Sequence, residues 1–147
     1  MGKVSLEHNA KWFFWSELRG SELDLTDAAM AYVVHLLDEF ITSEAAYQGV
    51  EPGPPIFFEF IERAAQASPA QQVSLYRHVG DLALFLLGLA PGSLPASRSY
   101  YVGVGGGAYC SVAARVPPAA GPVFEELGDR FQDVADALES LDVWRLT

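Results

Sequence analysis

The stretch Tyr100-Tyr101-Val102-Gly103-Val104-Gly105-Gly106-Gly107-Ala108 decides the fold class. It has two readings. Gly103, Gly105 and Ala108 fit a G-x-G-x-x-A dinucleotide fingerprint, with Tyr100 to Val102 as the strand before it. That fingerprint requires a parallel βαβ unit. Beyond Arg115 come a proline break and a strongly helical segment, and no second strand is visible. The alternative is a helix with one very small face. At 100° per residue, Gly103, Gly106, Gly107, Cys110, Ala113 and Ala114 share a side, and Tyr101, Ala108 and Val112 lie opposite. Each interior glycine costs about 1 kcal/mol relative to alanine. A run of them needs a compensating reason, either close approach of another helix backbone or room for a flat or bulky ligand. The helical reading makes the chain all-α.

The neighbouring segments agree. Breaks at Gly49–Pro55, Ser68-Pro69, Pro91–Pro95 and Pro117–Pro122 separate stretches of helical length and period. A central helix is expected over about 69–90. It opens on Ser68 as N-cap with Pro69 at the first helical position. From Val79 onward it is apolar on almost every side, the mark of a buried helix. Only Arg77, Asp81 and Gly88, with Ser74 and His78 nearby, form a narrow polar arc. The glycine-rich helix, about 98–115 with Ser97 as cap, is expected to pack tightly on it.

Upstream, Thr26 caps a helix over about 27–47, with Leu25 and Met30 placed as a hydrophobic staple. Met30, Val33, Val34, Leu37, Phe40 and Ile41 form its apolar stripe. A third helix starts at Pro54-Pro55, with Ile56, Phe57, Phe60 and Ile61 on one side, and ends near Ala67. The last, from about Val123 to Trp144, carries Phe124, Leu127, Phe131, Val134, Leu138 and Leu141 in heptad spacing. Lys11 to Arg19, closed by Gly20, reads as a short N-terminal helix. The expected architecture is therefore a single helical domain over 1–147: five main helices plus the short one, with residues 1–20 as an aromatic segment available as an interaction arm.

Composition narrows the function. The 147 residues hold 9 Lys+Arg against 19 Asp+Glu, a net of -10. A general nucleic-acid binder needs the opposite sign, because basic side chains must replace counterions. No apolar run approaches the roughly 20 residues of a membrane span. Met1 to Ala10 has no apolar core of a secretory signal, and Leu6 stands where a myristoylation signal wants Ser or Thr. The single Cys110 cannot form an intramolecular disulfide. A cytoplasmic location is expected.

Four constellations bear on chemistry. Arg77 and Asp81 are one turn apart and can pair. With Tyr101 and Tyr109 they could line a ligand pocket between the fourth and fifth helices, or form a structural ion pair. Trp12, Phe13, Phe14 and Trp15 are consecutive, so a helix spreads them over several faces. They read as interface anchors or as a segment plugging grooves of the bundle. The last helix is acidic: Glu125, Asp129, Asp133 and Asp136 make one stripe, joined by Glu126, Glu139 and Asp142, with Glu126–Arg130 as the offsetting pair. Asp129, Asp133 and Asp136 would face a basic partner, or only water. His8, His35 and His78 lie in no Glu-x-x-His motif, and His35 pairs naturally with Glu39. No metal and no cofactor are expected. No G-x-S-x-G is present, and Cys110 reads as an inert buried thiol.

Leu75-Tyr76-Arg77-His78-Val79-Gly80-Asp81-Leu82-Ala83-Leu84-Phe85-Leu86-Leu87-Gly88, continued by Pro91, Ser97 to Tyr101, Gly103 to Tyr109 and Phe124 to Phe131, resembles a family of uncharacterised bacterial helical proteins. The resemblance covers roughly the C-terminal half. It implies a helical glycine stretch and no activity. The expected function is a non-enzymatic interaction or assembly protein, acting in a homo-oligomer or with another protein. The alternatives are a bundle that binds a small molecule at Arg77, Asp81, Tyr101 and Tyr109, and, more remotely, an enzyme using that cluster.

Overall fold

Helix starts follow the sequence signals closely. In the computed structural model, which describes residues 2–42, 53–90, 92 and 94–141, Ser68 accepts from the Gln71 N–H while the Gln71 side chain accepts from the Ser68 N–H, with Pro69 at the first position. This capping box satisfies two donors that a bare helix end would leave unpaired. Ser97 accepts from the Tyr100 N–H at 3.2 Å, and Thr26 from the Ala29 N–H at 3.3 Å. Seven helices result among the described residues, and no strand: α1 Gly2–Gly20, α2 Asp27–Thr42, α3 Pro54–Ala65, α4 Pro69–Leu89, α5 Arg98–Ala113, α6 Gly121–Asp129 and α7 Phe131–Ser140. The glycine stretch is helical throughout.

α4 and α5 form the most extensive helix pair. Val79, Leu82, Ala83, Leu84, Leu86, Leu87 and Leu89 of α4 are all buried, as an all-round apolar helix must be. Two α4 glycines admit large side chains from neighbouring helices. The Tyr109 ring of α5 lies over Gly80, and Leu138 of α7 lies over Gly88. Gly88, placed by its period in the polar arc, is thus a packing site.

The small face of α5 is used in part: Gly106 and Cys110 meet Gly128, and Ala113 meets Gly121, both of α6. Gly103 and Gly107 are exposed, and nothing stands within 4 Å of a side chain built there. Gly105 and Gly106 are the buried pair. Gly105 receives the Phe131 ring, and Gly106 faces the Gly128 carbonyl, 3.0 Å from where its own Cβ would stand. The close backbone approach at these glycines is therefore to α6, while α4, the most extensive partner of α5, takes the Tyr109 ring at Gly80. On α5 it rests on Gly106 and Cys110, one turn apart, whose backbone atoms lie 2.9 and 3.2 Å from where a Gly128 Cβ would stand, while Gly105 receives a side chain.

The expected single C-terminal helix is two. Arg130 ends α6 and begins α7 with φ -104° and ψ 19°, off the helical region. The break coincides with Gly128 pressed on Gly106 and Phe131 seated on Gly105, so the chain bends where two contacts with α5 must be met at once. Arg130 still donates its N–H to the Glu126 carbonyl and accepts from Val134, both at 2.9 Å. That continuity keeps the apolar spacing in phase: Phe124, Leu127, Phe131, Val134 and Leu138 are all buried. Residues 142–147, the end of the expected helix, lie outside the described residues.

The N-terminal helix is longer than its aromatic block suggests, running from Gly2 to Gly20. Only one of its four consecutive aromatics is core. Phe14, with Leu18 one turn on, is fully buried, Phe13 and Trp15 are half-buried, and Trp12 is 72% exposed. Phe14 and Leu18 join the same cluster of buried residues as α2, α4 and α5. In α2 the staple residues Leu25 and Met30 and the stripe Val33, Val34, Leu37 and Phe40 are buried as expected, while the Ile41 side chain is outside the described set. In α3, Phe57 and Ala64 are buried, but Ile61 is exposed, contrary to the expected inner face. No helix is long and apolar enough to cross a membrane among the described residues.

Candidate functional site

The expected polar cluster exists, with different membership. Asp81 leaves α4 toward α2 and α5, and its Oδ1 accepts the hydroxyls of Tyr32 and Tyr109, each at 2.7 Å. Tyr32 and Tyr109 stand edge-to-face, 6.1 Å between centroids, and both rings pack on Phe124. Tyr101 is elsewhere: it is buried beside Phe57 and Tyr100. On α5 it lies eight residues before Tyr109, more than two turns away along the axis.

Tyr32 is the member that sequence reasoning missed. It sits off the apolar stripe of α2, on the side that also carries His35 and Glu39 at helical spacing. An aromatic residue one turn before the first of two titratable ones, off the stripe of an otherwise well-striped helix, was the available signal. His35 and Glu39 do pair, Nε2 to Oε1 at 3.1 Å.

Arg77 does not close onto Asp81. It is exposed and makes no ion pair among the described residues, although its field favours the Asp81 carboxylate. Asp81 has turned inward to the two phenols, which the expected i, i+4 pairing did not anticipate. Burial pushes the Asp81 carboxyl up to about 6, against the lowering effect of the two hydroxyls and of Arg77. Both phenols are pushed far above their ordinary value, by burial first and then by the Asp81 charge. They act as fixed donors and not as acids. Between α2 and α4 remains a cavity of about 100 Å³, lined by Tyr32, His35, Leu36, Glu39, Arg77 and Asp81. The expected pocket between α4 and α5 is instead filled by the Tyr109 ring lying on Gly80.

The acidic face is largely engaged within the molecule. Arg98 binds both Asp136 and Glu139, and Arg130 binds Asp133 at 2.8 Å. Glu126 does not pair with Arg130. It crosses to the start of α2 and accepts from the Thr26 N–H at 2.8 Å and the Thr26 hydroxyl at 2.6 Å. Among the stripe residues only Glu125 and Asp129 project without such a contact, and their charge, after burial, pushes the Cys110 thiol up. Cys110 is exposed, not buried.

A second surface was not anticipated. On α3, Phe58 is 69% exposed and Ile61 40% exposed. Pro54 and Ala65 extend the same line one turn to either side and are also exposed. Glu59 and Glu62 flank it, exposed and without ion pairs among the described residues. Arg63, 5.5 Å from the Phe60 ring, and His78, 4.8 Å from it, cover the inner edge. Loss of solvation there pushes the His78 pKa down.

Among the described residues these features define an all-helical protein with a shared-acceptor polar cluster and an exposed apolar helix face. Comparison with family models, curated proteins and solved structures gives no match.

Proposed function

We propose that the protein is a non-enzymatic interaction module of the cytoplasm, and that the outer face of α3 is the surface it offers. The observation that carries this is Phe58, a large aromatic side chain 69% exposed on a helix whose other side, at Phe57 and Ala64, is in the core. Isolated exposed apolar residues are ordinary. Here two large ones, Phe58 and Ile61, follow each other at i, i+3 with smaller apolar residues beyond, the pattern by which one helix offers anchors to another.

The partner this face fits is an amphipathic helix of another protein with basic flanks. Glu59 and Glu62 stand beside the apolar line and would meet those charges. A second copy of the chain would bring the same carboxylates and another net charge of -10, which opposes self-association. The aromatic N-terminus, expected as the interface, contributes Trp12 alone as an exposed anchor, and the paired Asp133 and Asp136 are less suited to dock a partner than Glu59 and Glu62.

The test uses the full chain with designed Leu/Lys and Leu/Glu amphipathic peptides, followed by peptide fluorescence anisotropy. The Leu/Lys peptide should bind, the Leu/Glu peptide should not, and the double variant Phe58→Ser, Ile61→Ser should lose binding while keeping its fold. Binding that survives the double variant would overturn the assignment to α3. A dimer by mass measurement that the same variant dissolves would move the reading to self-assembly.

A further inference from the structure

The cavity between α2 and α4 holds opposite charges that do not meet. Arg77 and Asp81 are i, i+4 on α4, a spacing at which such side chains ordinarily pair. Here Asp81 Oδ1 is committed to Tyr32 and Tyr109, Oδ2 makes no hydrogen bond and Arg77 no ion pair among the described residues, and both side chains line the cavity. The two charged ends stand on one small space of about 100 Å³. That is well below the roughly 300–1,000 Å³ of sites for drug-sized ligands and suits a molecule of a few non-hydrogen atoms, such as glycine. Glu39, the other carboxylate on the wall, is held by His35, and Leu36 supplies an apolar side.

We propose that this cavity binds a small zwitterion, an ammonium carboxylate of glycine size, with its ammonium on Asp81 Oδ2 and its carboxylate on Arg77. A simple cation would satisfy Asp81 but face the guanidinium. A simple anion would satisfy Arg77 but face Asp81. Only a molecule carrying both charges completes both, and charge-assisted hydrogen bonds are the strong ones. The phenols serve the site by fixing the carboxylate, since both donate to Oδ1 and neither can rotate it away without losing its own buried partner. No reaction is implied. The site lies on α2 and α4, apart from the α3 face, so its success or failure leaves the interaction reading untouched.

The probe is glycine, titrated into the full chain at neutral pH, with methylammonium and acetate as single-charge controls. The readout is the backbone amide shifts of Tyr32, Arg77 and Asp81. Glycine should give saturable shifts with a millimolar dissociation constant, and each control should bind at least about tenfold more weakly. Arg77→Gln alters an exposed side chain, so the fold should stand while glycine affinity falls about tenfold. Asp81→Asn should abolish glycine binding. Absence of saturable shifts up to about 100 mM glycine, methylammonium binding as well as glycine, or an Arg77→Gln protein with undiminished affinity would each overturn the proposal.

Discussion

The Phe131 ring occupies the space into which a side chain at Gly105 would grow, with Cε2 and Cε1 only 2.6 and 2.8 Å from the position of the first side-chain carbon. A ring that is 1% exposed has nowhere to retreat. Gly105→Ala should therefore destabilise the protein by about 1–3 kcal/mol, the usual cost of overpacking. Gly103→Ala and Gly107→Ala should do the opposite and stabilise by up to about 1 kcal/mol each, because their sites are open and helical. Urea unfolding of the three variants checks this. A Gly105→Ala protein as stable as the parent would contradict the seating of Phe131.

Burial and the Tyr32 and Tyr109 hydroxyls act in opposite directions on the protonation of Asp81. Its folded pKa, about 6, lies above the ordinary 3.8 because burial outweighs the two hydroxyl donors. The native state therefore holds this proton more tightly than the unfolded chain. The stabilisation this group contributes is complete below about pH 3.8 and is lost as pH rises through about 6, on the order of 2–3 kcal/mol in total. Asp81→Asn keeps an oxygen acceptor for both phenols and should flatten the stability profile between those pH values. Tyr109→Phe removes a donor that favours the carboxylate, so the Asp81 pKa should rise further. A ¹³C titration of the Asp81 carboxyl reads both effects, and a downward shift in Tyr109→Phe would refute the account.

Much of this architecture is legible in the sequence because its signals are local. Ser68, Ser97 and Thr26 cap helices through groups within three residues, and the α2 stripe and the apolar run after Val79 report burial directly. What the sequence hides depends on which partner a residue meets. A helical projection groups Gly103 and Gly107 with Gly106 and Cys110, but of these α6 meets Gly106 and Cys110, and Gly105, off that face, takes the Phe131 ring. Arg77 and Asp81 have pairing distance in sequence, yet two phenols from other helices take the carboxylate. Tyr101 and Tyr109 look equivalent along α5 and face different neighbours. The bend at Arg130 follows Gly128, a weak local breaker two residues earlier, and coincides with Phe131 meeting Gly105 of α5.

Glu126 provides a cap from 100 residues away: its carboxylate accepts both the N–H and the hydroxyl of Thr26 at the start of α2. Hydrogen bonds to a charged acceptor contribute more than neutral ones, and a negative charge there also suits the helix dipole. Glu126→Ala should cost about 1–2 kcal/mol. Combined with Thr26→Ala, the loss should be less than the sum of the single losses by about 0.5 kcal/mol or more, because the two side chains share one contact. Full additivity in the double-mutant cycle would mean that α6 does not hold the start of α2.

Two aromatic residues of the same block in α1 should behave as opposites. Phe14 is fully buried against the main core, so Phe14→Ala leaves a cavity as well as losing transfer energy and should cost about 3–5 kcal/mol. Trp12, two residues earlier and 72% exposed, should tolerate alanine within about 0.5 kcal/mol. Thermal unfolding of the two variants separates a helix that belongs to the core from an arm that merely lies on it. Were Phe14→Ala as harmless as Trp12→Ala, α1 would be an appendage whose whole aromatic block is free for a partner. A large difference leaves Trp12 as the side chain of that block available for contact, and keeps Phe58 and Ile61 as the principal apolar surface.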